Sequence, residues 1–364
     1  MTNHPRPRPD RPDVVFVASQ VQPRLGMEAA LAQVVRELER QGRRVTVVSL
    51  SGRHDMHWPS ALTSLDLGHG GRRSLRASHA LRTYVRAEPE AVWAGVGIWA
   101  YLPLLAATAR TGVRVVAWEH SMLPWRLEND TGVRRQAAVA RRLLHRASDV
   151  VAVSPSVAAT VSELAPRADV RVIPNAVSFD VTRAARTPRA AEAPVRLLGL
   201  GSLRPVKNFE LAVAALAHLP TGHRLRIAGD GPARSDLLRL ADDLGVADRV
   251  ELLGHVADPL ALLAESDVLV HPAWSETFGY SLLEAAAADV PVVVRDAPTM
   301  NEVVPTHAPG LCVADPTAQS LAAAITDALG SSAPGAAAFD AARARVAADF
   351  SPARVGALWA DLLA

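Results

Sequence analysis

Short apolar runs of strand type alternate with helical patterns along almost the whole chain, and this alternation limits the fold more than any other feature. VVFVAS (14–19), RRVTVVSL (43–50), AVWAGVGI, VRVVAWEH and DVVAVS follow one another in the first half. VRLLGLGS, HRLRIAGDG, RVELLGHV, DVLVHPA and PVVVRD follow in the second, with helical spacing over 27–41, 208–219, 232–244, 258–265 and 278–288. Strands this apolar are covered on both faces, and the helices between them serve as the crossovers of a mainly parallel sheet. The chain has 364 residues, more than one hydrophobic core organises, so the two runs read as two doubly wound domains in tandem.

The divisions follow from composition. Residues 1–12, rich in Pro and Arg, form a disordered lead-in without the apolar centre of an export signal. An amino-terminal domain covers 13–180 and a carboxyl-terminal domain 195–350. The linker is 181–194, an Ala, Arg and Pro stretch without apolar periodicity. In 351–364, Val355, Leu358, Trp359, Leu362 and Leu363 recur at near-helical spacing, which requires a partner surface. No apolar run approaches the roughly 18 residues of a membrane span, and the reading is a cytoplasmic protein. A single cysteine, Cys312, excludes an internal disulfide and a cysteine-built metal site. It is read as packing within a GLCVAD strand.

Charge divides unevenly between the halves. Residues 1–180 hold 24 Arg against 16 acidic residues, whereas 181–364 hold 15 basic residues against 21 acidic ones. The amino-terminal half therefore faces something anionic. Its densest patch, RRQAAVARRLLHR (134–146), carries Arg134, Arg135, Arg141, Arg142 and Arg146. Either this is a solvated arginine face over a core stripe, or the helix lies on the anionic inner face of a membrane. No nucleic-acid partner is expected.

Ligands of open parallel sheets bind beyond the carboxyl ends of the strands, so the loops after strands carry the chemistry. After the first strand, Gly26 stands at a helix entrance, outside any GxGxxG pattern; it is an ordinary loop glycine or a place where phosphate meets backbone. Glu119 and His120 end VRVVAWEH, and His120 is either filler or a catalytic imidazole. In GSLRPVKN (201–208), Arg204 and Lys207, the latter the only lysine in the chain, are two solvated loop cations or a pair that holds one pyrophosphate.

The fourth loop is WSETFGYSLLEAAAADVPVV. Helical rise puts Glu276 and Glu284 about 12 Å apart, beyond the roughly 5–9.5 Å of a glycosidase acid/base pair, so they serve different parts of one long ligand. A helix start at Phe278, Gly279 and Tyr280 would seat an anion between them. Glu284 can also be read as a solvated face residue of an alanine-rich helix.

With these motifs in order, the chain resembles the retaining glycosyltransferases of family 4. LGMEAALAQVVRELERQGRRVTVVS is similar to that family's opening Gly-x-Glu helix and strand, IPNAV to its hinge-proximal motif, and GLGSLRPVKNFELAVAAL to its phosphate loop. AGDGP, LLGHV and ESDVLVHPAWSETFGYSLLEAAAADVPVV follow in the family's order.

The resemblance implies the α/β GT-B fold, in which two Rossmann-like doubly wound parallel-sheet domains face a cleft and a last helix crosses back to the first domain. It implies transfer of a sugar from a nucleotide-diphosphate sugar to an acceptor hydroxyl, with no metal and no other cofactor. It gives Arg204 and Lys207 to the donor diphosphate, with Gly26 approaching it from the first domain. Glu284 falls to the ribose hydroxyls, Glu276 to the transferred sugar, and His120 to the donor sugar near the reacting centre. The acceptor, a glycan, lipid-linked or small molecule, falls to the amino-terminal domain. Two departures stand out: Ala297, Pro298 and Thr299 replace the family's usual Gly-Gly region, and Asp289 replaces a glycine before Val290. The alternative is a catalytically silent GT-B protein that binds a nucleotide-sugar or acts as a partner subunit.

Overall fold

The structure is a computed structural model and describes residues 12–21, 26–51, 61–65, 73–122, 127–177, 193–314, 316–330 and 332–364. The expected lead-in up to residue 11 and the expected linker up to residue 192 lie outside the described residues. The chain divides into two compact units, one of residues 1–178 with 350–364, the other of residues 179–349.

The first unit holds β1 (Val14–Ala18), β2 (Val45–Ser49), β3 (Ala61–Ser64), β4 (Val92–Val96), β5 (Val115–Glu119), β6 (Asp149–Ala152) and β7 (Val170–Val172). They form one parallel sheet in the order β3-β2-β1-β4-β5-β6-β7. All five residues of β1 are buried, as a central strand covered on both faces requires. The helix Gly26–Arg40 returns the chain across the sheet by burying Leu31, Val34, Val35 and Leu38. Sequence reading had no strand at β3 or β7 and no helix at Arg73–Ala87, segments with little apolar periodicity.

The second unit holds β8 (Val195–Leu200), β9 (His223–Ala228), β10 (Val250–Gly254), β11 (Val268–His271), β12 (Val292–Arg295) and β13 (Gly310–Val313). Their order is β10-β9-β8-β11-β12-β13, again parallel. In both sheets the chain lays strands outward to one side of its first strand and then returns to the other side. The reversal falls between β1 and β4 in one unit and between β8 and β11 in the other, and loops at such a switch point part to leave a crevice.

The last helix, Pro352–Leu362, belongs to the first unit and packs against the helix Gly26–Arg40. Trp359 supplies the reason, being fully buried with its ring 5.7 Å from Phe16 and 4.7 Å from Trp118, both edge-on. The return is pinned at its start, where Val177 N–H donates to the Phe350 carbonyl at 2.8 Å. One expectation is corrected: Cys312 is exposed, not packed, because β13 is the edge strand and its side chain there points outward.

Candidate functional site

In the second unit the switch point brings GSLRPVKN, after β8, beside the loop that follows β11. Two hydrogen bonds join them: Trp274 N–H to the Val206 carbonyl at 2.9 Å, and Asn208 Nδ2 to the Pro272 carbonyl at 3.1 Å. The AGDG loop after β9 closes on the same place, where only a glycine fits. A Cβ on Gly229 would stand 1.8 Å from the Gly201 carbonyl oxygen.

This stitching places Lys207 Nζ 2.6 Å from Glu276 Oε2, with both side chains largely out of water. Glu276 Oε1 accepts from Thr277 N–H at 2.9 Å, and the Glu276 carbonyl accepts from Thr299 Oγ1 at 2.7 Å. Burial by itself would push the Glu276 carboxyl up, but the Lys207 ammonium and the neighbouring His271 hold it well below the usual carboxylate range. His271, at the end of β11, is 1% exposed, with Nε2 3.3 Å from Glu276 Oε2 and Nδ1 3.4 Å from Ser281 Oγ. Burial first, and then the nearby Lys207 charge, lower its pKa, while Glu276 acts in the opposite sense.

Downstream, Gly279 takes φ 85° at the entrance to the helix Tyr280–Ala287, a left-handed conformation suited to glycine. Phe278 is buried and meets Tyr280 edge-on at 4.9 Å. Glu284 lies in this helix, where burial lifts its carboxyl to about 7. Its side chain is half-buried and so is not on a fully solvated face. Arg204, by contrast, is exposed and makes no ion pair among the described residues. The Lys207 ammonium is thus paired with Glu276 while the Arg204 guanidinium faces solvent.

Both departures from the family pattern have a local account. Asp289 keeps the left-handed backbone at φ 56°, and its carboxylate is bound by Arg343 of the helix Ala336–Phe350, so the side chain is used as a clamp. In the other, Pro298 starts a short helix and Thr299 supports the Glu276 carbonyl.

In the first unit, Gly26 is the exposed first residue of the helix after β1. His120 follows β5 with its ring 4.5 Å from Trp118, and burial lowers its pKa to about 3. The imidazole is thus neutral at ordinary pH. Glu119 anchors it: Tyr101 Oη donates to Glu119 Oε2 at 2.7 Å, and Oε1 accepts from His120 N–H at 2.9 Å and Ser121 N–H at 2.8 Å. Arg134, Arg135, Arg141, Arg142 and Arg146 are all exposed on the helix Thr131–Leu143 and the turn after it, opposite buried Val133, Ala137 and Ala140. Among the described residues no group of His, Cys, Asp and Glu is arranged to hold a metal ion.

Sequence reasoning missed His271 and Ser281, and marked Thr299 only as a departure from the family pattern without its bond to the Glu276 carbonyl. His271 lies inside an apolar run, and its position at a strand's carboxyl end was the available signal.

Comparison with known proteins gives these features a lineage. The model for "Glycosyltransferase Family 4" matches residues 25–181, and that for "Glycosyl transferases group 1" matches 182–344. Over 147 residues the chain is 36% identical to the lipopolysaccharide core biosynthesis glycosyltransferase LpsE of Rhizobium meliloti (strain 1021), covering 40% of this chain and 43% of that one. It is 33% identical over 227 residues to glycogen synthase of Mycobacterium tuberculosis, covering 60% and 54%. The chain thus spans about half the length of the curated relatives it matches. Among solved structures, Anabaena Alr3699/HepE in complex with UDP and glucose superposes with a TM-score of 0.78 at 19% identity, over 97% of this chain and 99% of the other. Two parallel doubly wound units with a returning last helix, matched by consecutive family models, place this chain in glycosyltransferase family 4, with the GT-B fold.

Proposed function

We propose that the chain moves a sugar from a nucleoside-diphosphate sugar to an acceptor hydroxyl, with retention at the anomeric carbon and without a metal. The observation that carries this reading is the meeting of Lys207 and Glu276 at the switch point between β8 and β11. A cation and a carboxylate there, beyond the carboxyl ends of the strands, suit a ligand that is anionic at one end and hydroxylated at the other.

Lys207, Arg204 and the helix start at Phe278, Gly279 and Tyr280 neutralise charge as it builds on the departing diphosphate. Glu276 faces the transferred sugar and Glu284 the ribose hydroxyls. Gly26 and His120 keep the roles that the resemblance implies, and a neutral His120 is suited to accept or donate a hydrogen bond at the sugar. The acceptor oxygen attacks from the face the diphosphate leaves, its proton passing to a leaving-group oxygen. The exposed arginines of 134–146 rest against an anionic membrane surface on the cytoplasmic side, which sedimentation with vesicles rich in phosphatidylglycerol tests; no enrichment over neutral vesicles rejects that contact.

Thermal shift with UDP, GDP and ADP tests the donor site, since a ligand of the native state raises Tm. One of them is expected to stabilise the protein and to lose this effect in Lys207→Ala. If none does, the donor site is wrongly assigned. Release of free nucleoside diphosphate from the matching nucleotide-sugar only when an acceptor is present separates a transferase from a silent binding protein.

A further inference from the structure

We infer that His271 is a positioning residue for Glu276: held in one tautomer by Ser281, its imidazole keeps the Glu276 carboxylate in place and charged when the Lys207 ammonium is drawn onto a diphosphate. The inference rests on the donor-site reading above and adds a residue to it.

The geometry is a chain of three groups across two elements. Ser281, in the first turn of the helix Tyr280–Ala287, lies 3.4 Å from His271 Nδ1. In the tautomer that carries its proton on Nε2, the Ser281 hydroxyl donates to Nδ1 and the Nε2 donor stands 3.3 Å from Glu276 Oε2. Lys207 Nζ holds that same oxygen at 2.6 Å, and the imidazole approach is the longer of the two. Nε2 is buried and makes no hydrogen bond among the described residues; Glu276 Oε2 is within reach of it without being bonded.

A core filler at this position needs no nitrogen. Strand β11 is otherwise Val268, Leu269 and Val270, all fully buried, and a fourth aliphatic side chain would fill the space without the cost of burying an imidazole. His271 instead sets a polar edge against each of two polar groups.

The consequence appears when the ligand arrives. A diphosphate competes with Glu276 for Lys207, and an abandoned carboxylate in a buried place either swings away or takes up a proton. The Nε2–H of His271 is placed to tighten onto Oε2 as Lys207 leaves. The charged and polar groups facing the imidazole are Glu276, Lys207 and Ser281.

Proton uptake on nucleotide binding tests this without knowledge of the acceptor. Calorimetric titration with UDP, or with whichever of UDP, GDP and ADP raises Tm, is run at pH 7 in buffers of different ionisation enthalpy. His271→Gln, whose amide nitrogen stands near the lost Nε2, is expected to match the proton exchange of wild type, to which Glu284 contributes. His271→Leu is expected to take up roughly half a proton or more beyond wild type per nucleotide bound, and Ser281→Ala, which leaves the ring in place but frees its tautomer, a smaller excess. Equal uptake in wild type and His271→Leu overturns the inference, as does uptake by wild type that His271→Leu abolishes, which would make the imidazole the proton acceptor. If His271→Leu fails to fold, Ser281→Ala decides: uptake equal to that of wild type overturns the inference. Should no nucleoside diphosphate bind wild type, the donor-site reading fails first and this inference falls with it.

Discussion

Lys207 Nζ stands 2.6 Å from Glu276 Oε2, although 69 residues separate the two in sequence. The only ammonium side chain in the protein is thus already engaged by a carboxylate. Under the proposed function a diphosphate has to take Lys207 from Glu276 rather than find it free, so the pair would set both the affinity for the leaving group and the freedom of Glu276.

Lys207→Ala is expected to weaken nucleoside-diphosphate binding by roughly tenfold or more, the size of one lost charge-assisted bond. Lys207→Arg keeps the charge but brings a bulky planar group beside Gly201, where a Cβ would already stand 3.3 Å from the lysine stem. It too is expected to bind less tightly. Isothermal titration measures both, and unchanged affinity in both variants removes Lys207 from the diphosphate.

Glu276→Ala acts in the opposite sense. It releases Lys207, so nucleoside-diphosphate affinity is expected to hold or rise while turnover is lost. A collapse of diphosphate affinity in the same titration would reverse the division of labour between Glu276 and Glu284.

Glu284 makes stability depend on pH. Its folded pKa, about 7, lies above its ordinary 4.5, so between these values the folded state holds more protons than the unfolded state. Stability is therefore highest below pH 4.5 for this group alone and falls as pH rises through 7, by at most about 3 kcal/mol. Glu284→Gln is expected to flatten that part of the Tm–pH profile. A parallel profile with the same slope rejects the assignment.

Asp289 and Arg343 form a clamp between the end of the helix Tyr280–Ala287 and the helix Ala336–Phe350. Asp289→Ala leaves the guanidinium without this partner and a Cβ residue without side-chain support at positive φ, an expected loss of roughly 2–4 kcal/mol. Asp289→Gly recovers part of it by relieving the backbone. A double-mutant cycle with Arg343→Ala gives the coupling, which is expected to be well above the scatter of additive pairs.

Trp359→Ala removes an indole that is fully enclosed between Phe16 and Trp118. The expected cost is about 3–5 kcal/mol. Urea unfolding followed by tryptophan fluorescence measures it, and a loss below about 1 kcal/mol would mean that the cluster relaxes around the gap.

Much of this was legible in the chain. VVFVA and VLVH read as buried strands because few polar residues interrupt them, Lys207 and Glu276 stood out because charged groups beside strand ends have few structural uses, and Glu284 stood out by its spacing from Glu276. The Lys207–Glu276 pair was not legible, since periodicity reports the face of an element and not which loops a switch point brings together. His271 was hidden by its surroundings: an imidazole within an apolar run looks like filler until Glu276 and Ser281 are seen on its two edges. Asp289 appeared as a defect in a family pattern, and only its αL backbone and the guanidinium opposite show it as a substitution with its own partner. Cys312 was misread because an edge strand and a central one look alike from a four-residue run.

The return of the last helix to the first unit also orders events during synthesis. Residues 179–349, the entire second unit, emerge between Trp118 and Trp359. At about 5–20 residues per second the 241 residues from Trp118 to Trp359 take roughly 12–48 s. Throughout it, the surface of Phe16 and Trp118 that Trp359 later covers lacks its partner on a nascent chain. The unit that begins first is therefore completed only when Trp359 has been made, and until then the ribosome-bound chain carries an open aromatic seam.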